Sequence, residues 1–234
     1  MSNLAEQKKF TYKDYSRWTG DIRYELIDGT AYAMASPSQA HQVISRELSG
    51  RLWQFLRGKT CKMYNTFAVR LNFGSLDDTV VEPDILVVCD KSKLDGKSVK
   101  GAPDLIIEIL PPYNTRRDTV TKARWYRKAG VKEYWIVDPN AKTVQTCILE
   151  NGKYIIHDYN DDDIISVYVL KGCEINMSEV FYDTIEIEND SESETRDKII
   201  RALKASGVAM SDEQIAKAVK ILDSGAGTQN PLYF

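Results

Sequence analysis

Val80-Val81-Glu82-Pro83-Asp84-Ile85-Leu86-Val87-Val88-Cys89 (VVEPDILVVC) and Asp104 to Leu110 (DLIIEIL) decide how this chain folds. Both are near-continuous aliphatic runs, the pattern of strands buried on both faces of a sheet. Each holds a carboxylate inside its apolar run, Asp84 in the first and Glu108 in the second. A buried carboxylate is costly unless it is paired or bound to metal. On neighbouring strands the two acids would face one another and repel, and a divalent cation would resolve the conflict. Oxygen-only ligands favour a hard ion, Mg²⁺ or Mn²⁺. The plain alternative is that each acid sits at a strand end and meets solvent or an arginine.

Working outward, Glu133 to Val137 (EYWIV) reads as a further strand, closed by Asp138-Pro139. Between it and the Glu108 strand lies a helical pattern that Asn114 or Thr115 caps and Gly130 ends. Strand, helix and strand together predict a crossover between parallel strands. Upstream, Tyr24 to Met34 (YELIDGTAYAM) places strand-forming residues on both sides of Asp28-Gly29, a hairpin signal. Ser38 then caps a helix whose apolar face is Ile44, Leu48, Leu52, Phe55 and Leu56, stopped near Gly58. Phe67 to Phe73 alternates as a strand, and Lys142 to Val169 reads as antiparallel strands with Asn151-Gly152 as a turn.

The expectation is an α/β fold with a mixed sheet core flanked by helices, extra antiparallel strands and a short helical C-terminal tail. Composition shifts near Glu186, so residues 1–187 are expected to form the main domain. Residues 188–234 read as an acidic linker and two short helical patterns.

Lys122 falls on the helix after the Glu108 strand, and one face of that helix would aim it at the acids. An ammonium there holds an attacking water or offsets charge in a phosphorane-like transition state. The alternative is a solvated lysine paired with Asp118. Arg116, Arg117, Arg124, Arg127 and Lys128 cluster on the same helix and could contact phosphates, or form its solvated face. Trp125, Tyr126, Tyr134 and Trp135 read as packing residues. Asp104 shares a strand face with Glu108 and is a spare ligand.

The bulk numbers set limits. The chain has 234 residues, 43% hydrophobic and 28% charged, with a formal net charge of −3. Such a charge does not by itself announce nucleic acid, so any such surface must be a local patch. Cys61, Cys89, Cys147 and Cys173 form no CxxC pair, which favours free thiols in a reducing cytosol over zinc or disulfides. The polar start of the chain and the lack of a long apolar run lead to the expectation of a cytoplasmic protein without a membrane span.

YELIDG (Tyr24 to Gly29), SPSQAH (Ser36 to His41), EPDILVV (Glu82 to Val88), GAPDLIIEIL (Gly101 to Leu110), RRDTVTK (Arg116 to Lys122) and AGVKEYWIVDP (Ala129 to Pro139) follow one another in a specific order. In that order the chain resembles the PD-(D/E)XK nuclease superfamily. Within it the chain is similar to the Uma-two group of restriction-endonuclease-like proteins, over about Phe10 to Phe181. The resemblance implies a restriction-endonuclease-like fold with Asp84 and Glu108 as metal ligands. Glu25 matches an acid that completes the metal shell, and His41 a histidine at the start of the first helix. On an apolar helix face, His41 reads more often as a satisfied core residue. The superfamily's lysine position, two after the second acid, is Leu110 here; the group's lysine on the next helix matches Lys122. Pro111 to Asn114 departs from the group's Ser-Pro-Ser-Thr-like stretch.

The expected activity is therefore Mg²⁺- or Mn²⁺-dependent endodeoxyribonuclease. Asp84, Glu108 and Lys122 would be catalytic, and Arg116, Arg117 and Arg124 would contact the DNA phosphate backbone. A homodimer would cut both strands. Two alternatives stand beside it: a catalytically weak or inactive nucleic-acid-binding module on the same fold, and a hydrolase of a smaller phosphoester.

Overall fold

The structure, a computed structural model, describes residues 9–20, 22–71, 76–111 and 116–184, with the backbone alone at 116–119 and 183. Its order begins α1 (Tyr12–Tyr15), β1 (Tyr24–Ile27), β2 (Thr30–Ala33), α2 (Gln39–Leu56), β3 (Lys62–Asn65), β4 (Val69–Arg70), β5 (Val80–Val81) and β6 (Ile85–Val88). It continues β7 (Val99–Lys100), β8 (Leu105–Ile109), α3 (Arg116–Ala129), β9 (Glu133–Asp138), β10 (Thr143–Glu150), β11 (Lys153–Tyr159), β12 (Ile164–Ser166), β13 (Glu174–Asn176) and α4 (Met177–Val180).

Among the described residues a six-stranded mixed sheet runs β11-β10-β9-β8-β6-β3, and a five-stranded one runs β2-β1-β5-β4-β7. β8 and β9 pair in parallel with α3 between them, as the strand–helix–strand pattern predicts. Asp28 and Gly29 take left-handed φ values of 47° and 78° between β1 and β2, which the tight hairpin requires. Asn151-Gly152 does the same between β10 and β11. Ser38 caps α2 by accepting the His41 backbone N–H, and Ile44, Leu48, Leu52 and Leu56 are its buried stripe.

The pleat divides the six-stranded sheet between two cores. Leu105, Ile107 and Ile109 of β8 pack with the α2 stripe. Ile106 packs with Tyr126 of α3 and Val131 on the other face. Side chains alternate along a strand, so Glu108 shares the α3 face with Ile106.

Three expectations need correction. VVEPDILVVC is two strands, not one: β5 belongs to the five-stranded sheet and β6 to the six-stranded sheet. Pro83, lacking an N–H, stands at the break, where the chain leaves one ladder for the other. Asp84 thus sits just before β6 rather than inside a strand. The strand expected at Phe67 to Phe73 is described only as Val69–Arg70, and Phe73 lies outside the described residues. Cys61 and Cys89 form a disulfide across 28 residues instead of standing as free thiols. Lys62 pairs with Val88, so the next pair along the β3–β6 ladder brings the two cysteines opposite each other. Cys147 and Cys173 are free and buried. The C-terminal helical patterns lie outside the described residues. Among the described residues no helix is long and apolar enough to cross a membrane.

Glu133 is fully buried at the start of β9. It accepts hydrogen bonds from Trp135 Nε1 at 2.7 Å and from the backbone N–H groups of Tyr168 and Val169 at 3.1 and 2.9 Å. Burial pushes its pKa above the ordinary 4.5, and the three donors pull it partly back. The folded state therefore holds this proton to higher pH than the unfolded state does. The resulting stability is full below pH 4.5 and is lost as pH rises through the raised value. Glu133→Gln is expected to flatten the decline of unfolding free energy with pH above 4.5, measured by urea denaturation. An unchanged slope would show that Glu133 does not drive it.

Candidate active site

Three backbone segments far apart in sequence bring carboxylates to one end of the strands. Ile85 pairs with Ile107 in the antiparallel β6–β8 ladder, so Asp84 stands opposite Glu108 at the next step. The Ile109 N–H donates to Asp84 Oδ2 at 2.8 Å, which fixes the Asp84 carboxylate against β8. Glu25 arrives from β1 of the other sheet and is held by the Glu82 N–H, which donates to its Oε1 at 3.2 Å. All three are largely buried side chains, lining a cleft of about 1270 Å³.

Lys122 lies on the α3 face turned to these acids. Its Nζ is 3.0 Å from Glu25 Oε1 and 3.0 Å from Glu108 Oε1. The solvated alternative is thus excluded for Lys122. His41, in the first turn of α2, places Nε2 3.1 Å from Asp84 Oδ1. Its Nδ1 is buried with no hydrogen-bond partner among the described residues. It is therefore not the fully satisfied core histidine of the alternative reading.

Tyr126 is the residue that reading the sequence missed. It is fully buried, as a packing residue would be, but its hydroxyl donates to Glu108 Oε1 at 2.5 Å. The signal was present in the spacing: Tyr126 is four residues after Lys122 and so shares its helix face. Its ring also meets Tyr134 edge-on, with centroids 4.9 Å apart.

The electrostatics follow from burial and crowding. Burial pushes Glu108 up to about 7; the Lys122 charge opposes the rise, while Asp84 and Glu25 add to it. Burial works against the charge on Lys122, yet Glu108 and Glu25 outweigh it and raise the ammonium above its ordinary range. Burial is the main reason Glu108 resists ionisation, and three carboxylates against one ammonium add to it. A hard divalent cation suits this all-oxygen donor set and its uncompensated charge. Among the described residues no three His, Cys, Asp or Glu side chains already form such a group. Lys122 bridges Glu25 and Glu108 instead.

Other candidates fall elsewhere. Asp104 accepts the Cys89 N–H at 2.8 Å and pairs with Lys132 at 2.7 Å, so it is no spare ligand for this site. Arg124 is exposed and lines a neighbouring pocket. The side chains of Arg116, Arg117 and Asp118, and the stretch 112–115, lie outside the described residues.

A family described as "Putative restriction endonuclease", Uma2, matches residues 12–178. Among solved structures, a "putative nuclease belonging to DUF820" from Anabaena variabilis superposes with a TM-score of 0.61 at 18% identity. That match covers 75% of this chain and 99% of the other. The type IIG restriction endonuclease BpuSI matches at 12% identity and a TM-score of 0.36, over 84% of this chain and 21% of its own length. No curated protein matches the chain. The likeness to the Anabaena protein is one of fold, and the expected restriction-endonuclease-like mixed α/β core stands.

Proposed function

We propose that this chain, which belongs to the Uma2 family, is a Mg²⁺- or Mn²⁺-dependent endodeoxyribonuclease. The observation that carries the reading is the convergence of Glu25, Asp84 and Glu108 with Lys122 at the floor of one cleft. Asp84, Glu108 and Glu25 would hold the cation. When bound, such an ion supplies Lewis acidity toward a phosphate oxygen and a nucleophile at neutral pH.

The chain's own groups do the remaining work. The Ile109 N–H keeps Asp84 oriented, and the Tyr126 hydroxyl keeps Glu108 oriented. Lys122 offsets negative charge that builds on the phosphoryl oxygens, in a site where burial strengthens the interaction. His41 gives Asp84 a second neighbour through Nε2. Cutting both strands of a duplex together takes two such sites, which a homodimer supplies.

Purified protein is expected to nick supercoiled plasmid in Mg²⁺ or Mn²⁺ and to stop when EDTA is added. Intact plasmid in both ions would sink the nuclease reading. Turnover of a nitrophenyl phosphodiester without nicking would move the substrate to smaller phosphoesters.

One observation favours a second reading, a nucleic-acid-binding module without catalysis. Lys122 already bridges two of the three acids and could serve as their permanent counter-charge. Calorimetry with Mn²⁺ separates the two. Heat of binding favours the enzyme; its absence, alongside salt-dependent DNA binding, favours the module.

A further inference from the structure

A second concavity of about 430 Å³ adjoins the carboxylate cleft. The two share Asp28, Thr121 and Trp125, so one continues into the other. Its walls are α3 on one side and the β1–β2 turn on the other. Thr121, Arg124, Trp125 and Lys128 recur at i, i+3, i+4 and i+7 and form one stripe of α3, beside the stripe that carries Lys122 and Tyr126. Arg127 joins the wall, and Asp28 is the acid that faces these cations across the pocket.

Arg124 and Arg127 are exposed, and neither is ion-paired with an acid among the described residues. This contrasts with other arginines here: Arg51 pairs with Glu47 and Glu179, and Arg70 with Asp77 and Asp95. Two guanidinium groups without an ion pair among the described residues, in a concavity open to the cleft, are suited to phosphate, which they can bind bidentately.

We propose that the pocket between α3 and the β1–β2 turn binds the backbone phosphates flanking the scissile bond, with Arg124 and Arg127 as its cations. The proposal rests on the nuclease reading for its direction along the cleft. It also gives an acidic protein a local basic track, and it gives Asp28 a role in moderating affinity. Release of the cut strand benefits from an opposing charge beside the phosphates.

The test is DNA binding in EDTA, where no cleavage is required. A fluorescein-labelled duplex is titrated with protein at several salt concentrations. Each lost phosphate contact lowers the slope of log K against log salt by about 0.9. The double variant Arg124→Gln/Arg127→Gln is therefore expected to lower the slope by roughly 1.8. Asp28→Asn is expected to tighten binding at every salt concentration. Lys153→Gln, on β11, is the control that leaves the slope unchanged. Unfolding curves for each variant check that the fold is retained. A double variant with the wild-type slope overturns the proposal, as does Asp28→Asn binding no tighter than wild type. Absence of Mn²⁺-dependent nicking by the wild type would instead count against the nuclease reading and leave this measurement standing by itself.

Discussion

Asp84→Asn and Glu108→Gln are each expected to lower Mn²⁺-dependent nicking by roughly 10³-fold, the rate equivalent of about 4 kcal/mol. Both substitutions keep shape and remove charge. Asparagine at 84 can still accept the Ile109 N–H, and glutamine at 108 can still accept from Lys122 and Tyr126. Loss of activity in these variants would therefore report on charge at the reacting centre rather than on collapse of the β6–β8 ladder. The same two variants should weaken Mn²⁺ binding in calorimetry. Glu108→Gln should also gain stability relative to wild type as pH rises toward 7. Between pH 4.5 and about 7 the unfolded state releases the Glu108 proton while the folded state holds it, which destabilises the wild type; the amide has no such proton. Undiminished nicking by either variant would falsify the assignment of the carboxylate it removes.

Lys122→Met is expected to have the largest effect on stability. Removing one member of a buried charge pair leaves the others uncompensated, at a cost of about 3 kcal/mol. Here two acids lose their partner at once, since Lys122 Nζ contacts both Glu25 and Glu108. The variant should unfold at lower urea than wild type. Mn²⁺ at about 100 times its Kd should return roughly 2.7 kcal/mol, because binding to the folded state alone stabilises it. The variant should also bind Mn²⁺ more tightly than wild type, since no ammonium competes for the same oxygens, while its nicking rate falls. Weaker Mn²⁺ binding in Lys122→Met would show that the lysine supports the ion rather than competes with it. No change in stability would remove the charge-balance account of the site.

The parts of the fold that could be read in advance are those encoded locally. Asp28-Gly29 and Asn151-Gly152 announce their hairpins because left-handed backbone is needed there. The stripe from Ile44 to Leu56 announces α2 because its period is helical. DLIIEIL, a helix and EYWIV announce a parallel crossover because a tight turn cannot join parallel strands. The errors were made where a local pattern had a long-range cause. VVEPDILVVC looks like a single strand, yet its halves pair with different sheets, and only the partners reveal it. Cys61 looked unpaired because β3, a short edge strand without strong alternation, gave no sign of lying beside β6.

The site divides in the same way. Asp84 and Glu108 were visible as charges in apolar runs, since burial of charge is improbable without a purpose. Lys122 was visible chiefly through family resemblance, and Tyr126 was read as packing because an aromatic ring on a helix face says nothing about its hydroxyl. The sequence by itself determined the crossover, the hairpins, and the two acids that need a counter-charge. Tertiary structure alone decided that Glu25 meets Lys122 across 97 residues, and that α3 turns Lys122 and Tyr126 inward and Arg124 and Arg127 toward the pocket. The reason is physical. Turns and helical stripes depend on neighbours a few residues away, whereas strand register and helix rotation are fixed only when both cores pack together.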